Sequence, residues 1–99
     1  MEISAKSGTT QTGKMVVTRG IHWAMQNDTV FERKISEIIT RYLNGDWGDL
    51  GDEDKQMNED AIVSGKDRIL AAYQTSKGEV FVITEWDRSA TTILFTNEY

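Results

Sequence analysis

Three stretches in the C-terminal third decide the fold: Arg68-Ile69-Leu70-Ala71-Ala72-Tyr73-Gln74, Glu79-Val80-Phe81-Val82-Ile83-Thr84-Glu85-Trp86 and Thr91-Thr92-Ile93-Leu94-Phe95-Thr96. Each is short, and its apolar residues alternate or run continuously, the pattern of a β-strand. Ser76-Lys77-Gly78 and Asp87-Arg88-Ser89-Ala90 leave room only for tight connections, so the strands are expected to form an antiparallel meander. Val80 to Ile83 is apolar at successive positions, which implies a middle strand covered on both faces.

Working back toward the N-terminus, the period changes to 3.6. Phe31, Ile35, Ile38, Ile39 and Tyr42 fall on one face of a helix, with Arg33, Lys34, Glu37 and Arg41 outside. Thr29 with Glu32 reads as a capping box reinforced by Asn27-Asp28, and Asn44-Gly45 as a left-handed stop. Ahead of it, Lys14 to Thr18 reads as a short strand, and Ile21, Ala24 and Met25 as one or two helical turns. Behind it, Asp46-Trp47-Gly48-Asp49-Leu50-Gly51 is a connector in which Trp47 and Leu50 tuck inward and the aspartates face out. A further helix is expected from Asp52 to about Val63, ended by Gly65. Residues 1–13, rich in Ser, Thr and Gly, read as a flexible arm, and residues 14–99 as a single domain. The expected class is α+β, N-terminal helices packed on a small antiparallel sheet.

Composition removes several chemistries. The 99 residues contain no cysteine and one histidine, which excludes disulfides, thiolate nucleophiles and His- or Cys-based metal clusters. No apolar run approaches the ~20 residues needed to cross a bilayer. The polar start Met1 to Gly13 lacks the apolar core of a secretory signal. A reducing cytosol is the expected location. Gly8 to Lys14 has the glycine and lysine spacing of a phosphate-binding loop, but Met15 stands where a magnesium-holding hydroxyl belongs. Calcium-loop frames starting at Asp49 or Asp52 lack the glycine at their sixth position. No metal or cofactor is expected, and His22 has no neighbouring partner for catalysis. Glu85, Asp87 and Arg88 are the best remaining site-like group, but an Asp-capped turn with an Arg ion pair explains them more simply. The chain is expected not to be an enzyme.

Charge is the informative quantity. Asp46, Asp49, Asp52, Glu53, Asp54, Glu59 and Asp60 face a single base, Lys55, so fifteen residues carry a net −6 while the other 84 carry +1. Such a segment is repelled by nucleic acid and attracted to basic protein surfaces, including those that hold nucleic acid. These seven acids are the candidate partner-binding residues. Part of the cluster also has a structural reason, because acids are favoured in the first turn of a helix.

Three motifs carry a family resemblance: Gly45-Asp46-Trp47-Gly48-Asp49-Leu50 with Glu53-Asp54 and Asn58; Arg68 to Tyr73; and Val82 to Ser89 with Thr91-Thr92 and Glu98-Tyr99. Over about residues 40–99 the chain resembles a widespread family of small proteins of plasmids, integrative elements and phages that includes inhibitors of type I-C CRISPR–Cas systems. Arg19 before Gly20 and Thr96-Asn97 before Glu98 depart from the family pattern, both outside the acidic connector. The resemblance implies an anti-CRISPR protein, a monomer or small homo-oligomer, that occupies the basic DNA-binding surface of a CRISPR effector subunit. The alternative is a non-enzymatic partner module of a plasmid maintenance or antitoxin system.

Overall fold

A computed structural model describes residues 11–99. Most of the expected arm, and the first glycine of the Gly8 to Lys14 loop, lie outside the described residues. In chain order the elements are β1 (Lys14–Val17), α1 (Arg19–Asn27), α2 (Thr29–Leu43), α3 (Asp52–Ser64), β2 (Ile69–Thr75), β3 (Gly78–Thr84) and β4 (Ala90–Phe95), closed by a 3-10 turn at Thr96–Glu98. The architecture is α+β, three helices on a four-stranded sheet of order β1-β4-β3-β2.

The expected meander is present as β2-β3-β4, paired antiparallel throughout. The sheet as a whole is mixed, which corrects the all-antiparallel expectation, because β1 lies parallel to β4 with Met15 opposite Thr91. A parallel pair needs a crossover rather than a turn. Here the crossover is most of the domain, so no local sequence pattern announces it.

Alternation along the strands builds the core. Ile69, Ala71, Tyr73, Val80, Val82 and Ile93 turn toward the helices and join Ile21, Phe31, Ile35, Ile38 and Tyr42, all without exposed surface. α1 packs on β4, and α2 and α3 on β2. Phe31 stacks on Phe95 with ring centroids 5.7 Å apart. On the opposite face Ile83 and Leu94 are also buried and Phe81 meets the Tyr99 ring edge-on, so the middle strand has apolar residues packed on both sides, as the run at Val80–Ile83 implied.

The long helix begins one residue earlier than its capping-box pattern suggested. Asp28, in extended conformation, is the N-cap, and its Oδ1 accepts from the backbone N–H groups of Val30 and Phe31. Those bonds, the one from Phe31 foremost, hold its carboxyl below the usual carboxylate range. Gly45 and Gly65 take up left-handed φ at the expected helix ends.

A string of hydroxyls crosses the core. Thr91 Oγ1 donates to the carbonyl of Thr12 at 2.7 Å, Thr84 and Thr91 are 2.6 Å apart, and Tyr42 Oη is 2.6 Å from Thr84. Each hydroxyl has one proton, so the donation must run from Tyr42 to Thr84 to Thr91 to Thr12. Burial raises the Tyr42 pKa and keeps the donor protonated. Thr12 is itself buried, so the folded unit takes in residues 12 and 13, ahead of the expected boundary at 14.

Candidate partner-binding surface

The connector after α2 does not hang free; it closes the β2 edge of the sheet. Ala72 donates its N–H to the Trp47 carbonyl, and Asp49 N–H donates to the Ala72 carbonyl at 2.8 Å. The Asn58 side-chain amide donates to the Leu70 carbonyl and accepts from the Leu70 N–H, as a neighbouring strand would. Asp49 Oδ2 accepts from Gln74 N–H at 3.1 Å. Unpaired edge groups are an aggregation hazard, and these contacts remove it at Leu70, Ala72 and Gln74. Gly48 makes the approach possible: at φ +77°, a Cβ there would lie 2.0 Å from the Ala72 carbonyl oxygen.

Three aromatic and charged anchors hold the connector. Trp47 is buried, packs edge-on against Tyr42 at 5.4 Å, and donates its Nε1–H to Glu59 at 2.9 Å. Tyr73 Oη donates to the Asp46 carbonyl, and the Arg41 guanidinium lies 4.9 Å above the Tyr73 ring. Arg41 also pairs with Asp46 at 2.8 Å, and Asp46 Oδ1 accepts from Gly48 N–H. Arg41, then the Gly48 amide, hold the Asp46 carboxyl below its ordinary range, while Asp46 raises the Arg41 pKa.

All seven candidate acids are exposed, but they divide by what they do. Asp46, Asp49, Glu59 and Asp60 each accept a hydrogen bond, from Arg41, Gln74, Trp47 and Gln56 respectively. Among the described residues, Asp52, Glu53 and Asp54 have no side-chain hydrogen bond or ion pair. All three sit in the first turn of α3, whose N-cap, Gly51, supplies no side-chain acceptor. Their charge there complements the positive end of the helix dipole. Helical geometry sets Asp52 in line with Glu59 and Glu53 in line with Asp60, each pair ~10.5 Å apart along the axis, with Asp54 turned ~100° further round. The structure thus collects five acids on α3 and ties Asp46 and Asp49 into the scaffold.

Glu85, Asp87 and Arg88 do not assemble a site. Asp87 accepts from Ser89 N–H and caps its turn as expected, and Ser89 holds its carboxyl below the usual range. The expected Arg ion pair is absent, and this corrects that part of the reading. Arg88, at φ 62°, donates instead to the carbonyls of Ala61, Asp67, Glu85 and Trp86. Backbone carbonyls leave no trace in a sequence, so only the isolated Arg in a turn hinted at this role. His22 is exposed on α1. Among the described residues no three His, Asp or Glu side chains are grouped to hold a metal ion.

In comparisons with protein-family models, curated proteins and solved structures, nothing matches this chain.

Proposed function

We propose that the chain is a mobile-element-encoded inhibitor of bacterial defence, an anti-CRISPR protein that binds a type I-C effector subunit and blocks DNA recognition with an acidic, DNA-mimicking surface. The observation that carries the reading is the first turn of α3: Asp52, Glu53 and Asp54 are exposed, fan out around the start of the helix and have no ion pair among the described residues. Charge with no internal partner is available to a basic surface. The helix presenting it is held by Asn58 to β2 and by Glu59 to Trp47, so a partner meets a pre-set array at little ordering cost. The motif resemblance supplies the class of target.

The test is the affinity for a purified type I-C effector complex at low and high salt. Attraction between exposed charges fades as the Debye length shrinks from ~10 Å at 0.1 M toward ~3 Å at 1 M salt, so binding should fall steeply. Replacing Asp52, Glu53 and Asp54 together by Asn, Gln and Asn should abolish measurable binding while the far-UV spectrum is kept. Absence of binding at low salt, or full binding by the neutral variant, refutes the proposal.

A further inference from the structure

On the flank of α3 that faces the start of β2 lies a groove of about 520 Å3. Leu50, Met57 and Leu70 contribute its apolar part, and Asp54, Asp60 and Asp67 contribute carboxylates. Met57 is 66% exposed, a large apolar side chain left in solvent on the most acidic helix of the molecule. One base, Arg68, also lines the groove; its Nη1 donates to the neutral Tyr99 hydroxyl at 2.9 Å and it keeps its charge, so three carboxylates against one guanidinium leave the lining at a net −2. Asp54 and Asp67 have no side-chain hydrogen bond or ion pair among the described residues.

We infer that this groove takes an arginine side chain from the partner protein, its aliphatic stem along Met57, Leu50 and Leu70 and its guanidinium between Asp54 and Asp67. The inference deepens the function proposed above and rests on it for the identity of the partner. Charge complementarity selects the occupant. An acidic side chain is repelled by the carboxylates, and a purely apolar one strips them of water with nothing in return. A side chain with an apolar body and a cationic tip satisfies both parts of the lining. Arginine suits it better than lysine, because its planar cation is weakly hydrated and meets carboxylates through paired N–H donors. The groove thereby fixes register, which a screened row of surface charges does poorly.

The experiment is an NMR titration of the 15N-labelled full chain with N-acetyl-arginine amide, with N-acetyl-citrulline amide as the uncharged near-isostere. Saturable shifts are expected at the Leu50, Met57, Arg68 and Leu70 amides, about tenfold weaker binding for citrulline, and loss of the shifts in Met57→Lys, whose side chain is exposed in the native fold. Equal binding of both compounds, shifts that follow Glu53 and the outer face of α3 instead, or indifference to Met57→Lys overturns the inference. The effector assay separates the two proposals. An effector affinity unchanged by Met57→Lys removes the groove and keeps the acidic surface. Arginine capture at the groove without effector binding supports the groove's chemistry and removes the effector as its partner.

Discussion

Asp46 and Asp49 stand within a few residues of Asp52, Glu53 and Asp54, yet the two sets of carboxylates have opposite fates. The loop pair is absorbed: Asp46 holds Arg41 and the Gly48 amide, and Asp49 accepts from the edge of β2. The helix set has no partner among the described residues. The difference follows from backbone geometry. A connector laid along a strand edge meets unpaired N–H groups that an aspartate can satisfy, whereas the first-turn carboxylates of α3 project outward with no strand edge beside them and act on the helix's unpaired N–H groups only through the dipole. Charge counted along a sequence is therefore an upper limit on charge offered to a partner.

Substitutions at four places break or sharpen this contrast. The largest effect is expected from Gly48→Ala, which forces a Cβ onto the Ala72 carbonyl at a left-handed φ; a loss of about 3 kcal/mol or more is expected in urea unfolding. If the midpoint is unchanged, the connector does not close the sheet edge. Glu59→Ala leaves the Trp47 indole N–H without its acceptor and should cost about 1–3 kcal/mol, while Glu59→Gln, which keeps an acceptor, should cost less. Neutralising Asp52, Glu53 and Asp54 together removes favourable helix-dipole terms, offset in part by relief of repulsion among the acids, a net loss of about 1 kcal/mol in low salt and less in high salt. Thermal melts at two ionic strengths check this; a loss independent of salt points to a packing role instead.

The smallest effect belongs to Asp46→Asn, since an ion pair this exposed is worth about 1 kcal/mol or less. Its signature is the pH dependence. The folded-state pKa of Asp46 lies below its unfolded value, so its contribution is complete above the ordinary carboxylate pKa of ~3.9 and fades as pH falls through the lowered folded value. Wild-type stability should thus drop more steeply than that of Asp46→Asn below about pH 4, read from urea midpoints at stepped pH.

Much of this fold was legible because its determinants are local. The stripe Phe31–Tyr42 marks α2, and the apolar runs place β2, β3 and β4 within one or two residues of their observed ends. What escaped is long-range. The parallel β1–β4 pair joins segments about 75 residues apart, and nothing in Lys14–Val17 encodes its partner. Asp28 displaced Thr29 as the cap because its carboxylate reaches two backbone N–H groups. The candidate surface was half legible: clustering located α3, but the duties of Asp49 and Glu59 depend on a strand edge and an indole that only folding brings near. Asn58, lone polar anchor among acids, gave its role away in no local pattern.

The pairing of β1 with β4 also sets an order of events during folding. Bringing Met15 beside Thr91 closes a loop of about 75 residues, an entropic toll of about 4 kcal/mol by the (3/2)RT ln n relation. The meander and the helices are built from contacts close in sequence and can form without β1; the first strand, made earliest at the ribosome, waits for the last to emerge. Docking of β1 is thereby expected to come late, because the loop must close before its pairing is made.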